Sequence, residues 1–160
     1  MRLWPFALLV AGCCCPGGGS APPVTYRLDP FGISIALSAQ HTGGASPVGY
    51  AFTSGDGSGT IQVTAAAPGA PAAQRAPTEI LPGAMTTVQW ARPASFAGMQ
   101  GVEWRVHESF PAQRVHWIGA IDGPRGVVWL HAYTDARWVP GPTDGDLAWT
   151  TLRDSVRMAP

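Results

Sequence analysis

Apolar and polar residues alternate with a period of two over most of the chain after Val24, which indicates strands that bury one face. The clearest early alternation runs from Phe31 to Leu37, where every second residue is large and apolar. A segment rich in glycine and serine at 54–59 predicts a hairpin turn, because glycine adopts positive φ at little cost. Further strands are predicted at 48–52, 61–65 and 85–90.

The strongest pattern lies between Gly101 and Thr134, where three alternating segments are separated by two turn regions. A turn at 110–113 would pair Val106 with Trp117, and a turn at 123–124 would pair Trp117 with Leu130. Both registers predict that the apolar residues of all three strands share one face. These residues are Val102, Trp104, Val106, Val115, Trp117, Gly119, Ile121, Val128, Leu130 and Ala132.

The same registers place His107, His116 and His131 in one row on the opposite face. Neighbouring strands are about 4.8 Å apart, so three imidazoles in a row could hold a tetrahedral zinc ion and leave one position for water. The simpler interpretation is that these are ordinary histidines on a solvent-facing surface. On that interpretation the domain uses no metal and no cofactor.

Exposed aromatic residues offer a different kind of site. In the predicted register Trp129 and Tyr133 lie on the histidine face, and Trp138 lies in a loop rich in proline and glycine. Aromatic side chains exposed together form a surface suited to a sugar or another ligand of the cell envelope. The alternative is that the strand tryptophan belongs to the core.

A helix is predicted from Asp144 to about Arg153, since an aspartate can cap its start and apolar residues recur at helical spacing. Val156 and Met158 then predict a short closing strand. The Ala/Pro-rich segment 65–77 is expected to run over the surface, and Pro93–Gly98 is expected to be a loop. The predicted fold is α+β, a single domain whose antiparallel sheet carries the C-terminal helix. The alternative is an all-β sandwich.

The N-terminal residues resemble the signal peptide of bacterial lipoproteins. Arg2 precedes a short apolar run, and Val10-Ala11-Gly12-Cys13 matches the lipobox of that class. The resemblance implies removal of 1–12, acylation of Cys13, a flexible tether over 13–23, and a domain over 24–160 held to the outer side of the cell membrane. Cys14 and Cys15 would then be exposed thiols near the lipid surface.

Charge and composition remove several classes of function. Ten basic residues balance ten acidic ones, so no excess of positive charge would attract nucleic acid. All three cysteines lie in the first fifteen residues, so the domain has no disulfide framework. No Gly-x-Ser-x-Gly motif is present, and Glu103 and Glu108 fall on opposite strand faces. The sequence therefore predicts a binding or scaffold domain without catalytic activity, whose partner is the lipid bilayer together with an unidentified envelope protein or ligand.

Strands with glycine-rich turns, a hairpin at Ile121–Arg125 and a helix running into Leu152–Arg157 together resemble the PsbP/Mog1-like superfamily, particularly its actinobacterial LpqN-type lipoproteins. The resemblance implies an antiparallel sheet between helical layers. It brings no catalytic residues with it. The segment 65–77 departs from this pattern, because the family usually has a helix in this part of the chain.

Overall fold

The computed structural model describes residues 21–55, 57, 59–135 and 144–159, and these residues form two antiparallel sheets, one α-helix and three short 3₁₀ turns. The strands are β1 (Val24–Leu28), β2 (Ile33–Leu37), β3 (His41–Ser46), β4 (Gly49–Ser54), β5 (Gly59–Ala65), β6 (Met85–Phe96), β7 (Met99–Phe110), β8 (Arg114–Gly123), β9 (Gly126–Asp135) and β10 (Arg157–Met158). The helix is α1 (Asp144–Ser155), and the 3₁₀ turns are Asp29–Phe31, Ala72–Gln74 and Pro77–Glu79.

The larger sheet has seven strands in the order β3-β4-β5-β9-β8-β7-β6, and the smaller has three in the order β1-β2-β10. All pairings are antiparallel, as the alternating sequence pattern predicts. The helix follows the large sheet in the chain and contacts β2 of the small one. The fold is therefore mainly antiparallel sheet with one C-terminal helix, and the all-β alternative is not supported.

Both faces of the large sheet are covered. One face packs against α1 and the small sheet, and this core includes Phe96, Trp117, Leu130 and Trp149. The opposite face is covered by the Ala/Pro-rich segment, which buries Ala72 completely against the sheet. The segment that the sequence predicts as a surface excursion therefore forms a second layer without an α-helix. The buried residues of this second core are Ala72, Trp104, Val106, Ile118, Ala120 and Trp129.

The register of β7 against β8 differs by one residue from the prediction. Val106 pairs with His116 rather than with Trp117, and Trp117 pairs with Arg105. Because a shift of one residue exchanges the two faces of a strand, Trp104 and Val106 lie on the opposite face from Trp117. The prediction that the apolar residues of all three strands share one face is therefore wrong. β7 buries its apolar residues against the second layer, and alternation alone could not reveal that this layer exists.

The register of β8 against β9 differs from the prediction by two residues, with Trp117 paired to Ala132. A shift of two residues preserves the faces, so these two strands share their apolar side as expected.

Two strands occupy segments for which the sequence pattern predicts no strand. β3 contains Gly43, where an added Cβ would lie 2.1 Å from the carbonyl oxygen of Ala51, so glycine is required for the strands to approach. β6 continues through Pro93 to Phe96. Proline is tolerated there because, among the described strands, β6 lies at the edge of the sheet and pairs with β7 alone, and an edge residue can lack an N–H.

A buried carboxylate joins the helix to the sheet. Glu103 on β7 is 1% exposed, and its Oε2 accepts a hydrogen bond of 2.7 Å from Nε1 of Trp149 on α1. Its Oε1 accepts hydrogen bonds from Nε of Arg92 at 2.6 Å and from Nη1 of Arg153 at 3.3 Å. A buried carboxylate is stable only when it is paired and hydrogen-bonded, and these three donors meet that condition.

We expect Glu103→Ala to lower the free energy of unfolding by about 2–3 kcal/mol, because it leaves the indole N–H of Trp149 buried without an acceptor and removes the partner of two guanidinium groups. Urea denaturation followed by tryptophan fluorescence measures the change. Asp154→Ala is the matched control: it removes a carboxylate that is 60% exposed and paired to Arg153, and it should cost less than about 1 kcal/mol. Equal losses in the two variants would show that Glu103 does not hold the helix.

Candidate functional site

A cavity of about 680 Å³ lies between α1 and the large sheet. The aromatic rings of Trp117 and Trp149 and the side chains of Leu37 and Leu152 form much of its wall. Its volume falls in the range of about 300–1,000 Å³ typical of small-molecule sites. The lining is mainly apolar, so the cavity is suited to a ligand with a hydrocarbon body.

The cavity runs across the strands rather than along them. His41 on β3 pairs with Ser54, and Thr134 on β9 pairs with both Gly59 and Val115, and all five residues line it. The lining continues to β7. Five interstrand spacings separate β3 from β7, which corresponds to about 24 Å along the sheet. The cavity is therefore elongated.

Two residues that line the cavity each carry a side-chain nitrogen without a hydrogen-bond partner. These atoms are Nδ1 of His41 and Nε of Arg105, and within the described ranges they are the buried side-chain nitrogen or oxygen atoms in that condition. Leaving a buried polar group unpaired costs about 1–3 kcal/mol. Both atoms are themselves buried, so they do not face the open space of the cavity.

Arg105 is held in place by its other contacts. Its Nη1 is 3.6 Å from Oδ2 of Asp146, and its guanidinium carbon lies 5.8 Å from the centre of the Trp117 ring. Oδ1 of Asp146 accepts a 2.7 Å hydrogen bond from Nε1 of the same tryptophan. The helix start thus positions Arg105 without supplying an acceptor for its Nε.

The structure brings together two of the three predicted histidines. Nδ1 of His116 is 2.9 Å from Nε2 of His131, and Nε2 of His116 is 3.0 Å from Oε2 of Glu108. His107 pairs with Val115 and lies on the opposite face, because of the one-residue difference in register. The predicted row of three is therefore wrong, and the described part of the chain contains no group of three or more potential metal ligands.

The histidine pair forms a hydrogen-bonded chain with Glu108. An ionised Glu108 accepts from Nε2–H of His116, whose Nδ1 then accepts from Nε2–H of His131, and both rings stay neutral. Burial, together with the charges of His116 and Arg114, lowers the pKa of His131 to about 3. Burial also lowers the pKa of His116, although Glu108 opposes that effect. This chain is a buried polar network with two neutral rings, and it lies next to a smaller cavity of about 280 Å³.

The three aromatic candidates have different outcomes. Trp129 is only 3% exposed and packs against Trp104 with ring centres 6.0 Å apart, so its predicted exposure is wrong. The covering segment 66–84 accounts for this, since the two rings belong to the core beneath it. Tyr133 is half-buried and lines both cavities. Trp138 lies outside the described residues, as do Cys13 and residues 14–20 of the predicted tether.

Sequence reasoning missed Arg105 and His41. Arg105 alternates with Trp104 and Val106, so the pattern places it on a face turned to solvent. The residue pattern gives no clear signal for Arg105, because β8 on one side of β7 is buried on both faces whereas β6 on the other side is mostly exposed.

The described residues contain no helix with the length and apolar character needed to cross a membrane. No family model matches the sequence, and no curated protein matches it. The arrangement of sheet and C-terminal helix is nevertheless a PsbP-like fold.

Two solved structures support that assignment. The cyanobacterial PsbP protein CyanoP from Synechocystis sp. PCC 6803 has a TM-score of 0.63 and 15% identity, over 90% of this chain and 96% of its own. PA94 from Pseudomonas aeruginosa, a protein of unknown function, has a TM-score of 0.51 and 12% identity, over 87% and 99%. At these identities the likeness concerns the fold alone.

We expect acid to destabilise the protein through the histidine pair. The unfolded chain protonates His131 near pH 6.5, whereas the folded chain keeps it neutral down to about pH 3. Stability is therefore fully present above pH 6.5 and falls as pH decreases, by about 2 kcal/mol for this residue at pH 5. Urea denaturation of His131→Gln between pH 7 and pH 5 should show a correspondingly shallower decline.

His107→Gln provides the control, because His107 lies on the other face and outside the hydrogen-bonded chain. It should keep the decline of the parent protein. If His131→Gln and the parent show the same pH dependence, the buried neutral pair is not what the acid acts on.

Proposed function

We propose that this chain is a lipid-anchored binding protein on the extracytoplasmic side of the cell membrane, without catalytic activity, and that it holds a small apolar ligand between α1 and the large sheet. The observation that carries the proposal is the elongated cavity of about 680 Å³ with two tryptophans in its wall. Sites of this kind, mostly apolar with a few polar groups, are typical of small-ligand binding.

The proposed lipid anchor is inferred from the N-terminal sequence. Val10-Ala11-Gly12-Cys13 has the residue types that lipoprotein processing requires, and a stretch of glycine, serine and proline follows it. Acylation of Cys13 would keep the domain within reach of the membrane, where apolar ligands are concentrated. The proposed partners are therefore the bilayer and its apolar contents.

The placement of the ionisable groups argues for binding rather than catalysis. His41 and Arg105 lie at opposite ends of the cavity, about 24 Å apart along the sheet. Groups that exchange protons with one substrate must lie within hydrogen-bonding reach of the same reacting atoms. The Glu108–His116 pair faces the other side of the sheet. There the second ring nitrogen of His116 is already hydrogen-bonded to His131.

A glycan-binding surface has less support than the cavity. That hypothesis requires exposed aromatic rings, and Trp129 is buried beneath the segment 66–84. The proposed binding site is therefore the cavity between α1 and the large sheet rather than an aromatic surface.

We expect the neutral fluorescent probe N-phenyl-1-naphthylamine to bind the purified protein, with energy transfer from Trp117 and Trp149. Ala132→Phe places a ring in the cavity from the middle of β9 and should weaken binding by about tenfold or more, a loss of at least about 1.4 kcal/mol. Ala45→Phe is the matched control, since Ala45 is exposed on β3 and does not line the cavity. Absence of probe binding to the parent protein, or equal affinity in both variants, would contradict the proposed site.

We also expect Cys13→Ala to abolish incorporation of an alkyne-labelled fatty acid and to shift the protein out of its acylated membrane-bound form. Labelling of intact cells, followed by fractionation and mass spectrometry, measures both effects. Cys14→Ala should keep the label, because only the cysteine directly after the small pair is the acceptor in a lipobox. Persistence of the label in Cys13→Ala would rule out this anchor.

A further inference from the structure

Resting on the proposed binding function, we infer that the ligand is an uncharged, elongated lipid and that Asp146 is the residue that excludes anionic lipids from the cavity. Long-chain alcohols, esters and hydrocarbons belong to the uncharged class, whereas fatty acids do not. Selectivity is thus assigned to a residue that does not itself line the cavity.

The charge that lines the cavity is already balanced within the protein. Arg105 is the one permanently charged side chain among the described residues of the lining. Its Nη1 lies 3.6 Å from Oδ2 of Asp146, and the two side chains are only 15% and 32% exposed. The described wall therefore offers an anionic head group no unbalanced arginine.

The polar side chains of the wall are also largely satisfied by the protein. Nε1 of Trp117 donates to Asp146 and Nε1 of Trp149 donates to Glu103, each at 2.7 Å. Oγ1 of Thr151 donates to a backbone carbonyl of its own helix at 2.9 Å. An ion that leaves water for such surroundings loses its hydration without gaining a partner, whereas a hydrocarbon gains from the same burial. This balance favours an uncharged ligand.

The shape of the ligand follows from the course of the cavity. Between β7 and β3 the lining includes Val115, Ala132 and Ile61 from the sheet and Trp149 from α1. The three sheet residues belong to neighbouring strands, β8, β9 and β5. An extended hydrocarbon chain therefore fits better than a compact ring system.

Asp146 is assigned the selectivity because it lies near the start of α1 and contacts both Arg105 and Trp117. Without its negative charge, the guanidinium would be an unbalanced positive charge beside an apolar space. Opposite charges attract strongly where solvent screens them poorly. The same cavity would then accept a carboxylate, so one side chain separates a site for neutral lipids from a site for fatty acids.

The test compares dodecanol, dodecanoate and dodecylammonium, three probes that share a chain and differ in the charge of the head. The protein is the full chain carrying Cys13→Ala, so that its own acyl group cannot enter the cavity. Displacement of N-phenyl-1-naphthylamine gives the affinity of each probe. We expect dodecanol to bind at least about tenfold more tightly than either ion, because neither ionic head finds a partner in the cavity.

Asp146→Asn keeps an oxygen that can accept from the Trp117 indole but removes the negative charge. Relative to dodecanol, dodecanoate should gain at least about tenfold in affinity, the range of a hydrogen bond to a charged group, and dodecylammonium should lose affinity. A variant that merely loosens the cavity would bind both ions more tightly. The matched control Asp154→Asn changes a carboxylate that is 60% exposed, paired with Arg153 and outside the lining, and it should leave both ratios unchanged.

Arg105→Gln tests the same pair from the other side. It leaves the charge of Asp146 unbalanced, so the affinity for dodecanoate relative to dodecanol should fall further and that for dodecylammonium should rise. This comparison decides the role of Asp146 even where Asp146→Asn does not fold.

The outcomes separate the two proposals. If no probe displaces the fluorophore, the binding function itself fails. If dodecanoate binds the parent chain as tightly as dodecanol, the cavity binds lipids but the uncharged class is overturned. If the ratios are the same in the parent chain and in both charge variants, Asp146 does not determine the selectivity.

Discussion

Strand β8 is buried on both of its faces, and this constraint organises the rest of the fold. Every residue from Val115 to Ile121 is buried, so each face of the sheet needs a covering layer. α1 and the small sheet cover one side, and the segment 66–84 covers the other. Apolar surface is thus buried on both sides of this interior strand.

The register of β7 against β8 determines which polar side chains face each covering layer. Glu103 and Arg105 face α1, and Glu108 faces the opposite layer together with Trp104 and Val106. A shift of one residue would exchange these sets. It would remove the acceptor of the Trp149 indole and the positive end of the cavity, and it would separate Glu108 from His116. Two polar sites on opposite faces therefore depend on the same ladder of backbone hydrogen bonds.

Much of the fold could be predicted from the sequence, because alternation identifies strands wherever one face is buried. This alternation predicts β2, β4 and β5, and the helical spacing of apolar residues predicts α1. The PsbP-like fold that the resemblance implies is confirmed. The register of β7 against β8 could not be predicted. Both faces of β7 carry buried residues, so the alternation is compatible with two registers. The candidate site depends on that register. His116, His131 and Trp129 were placed on one face correctly, although the segment 66–84 covers that face and buries Trp129. His107 was placed by the wrong register, and Arg105 was missed.

The buried polar groups of both cores are almost completely paired. On the helix side Glu103 has three donors, and on the other side Glu108, His116 and His131 satisfy one another. Native proteins leave few buried polar atoms unpaired, and within the described ranges the exceptions are Nδ1 of His41 and Nε of Arg105. Both atoms are themselves buried, so they do not face the cavity that their residues line. The cavity therefore presents a mainly apolar wall, which is the character of a site for a small apolar ligand.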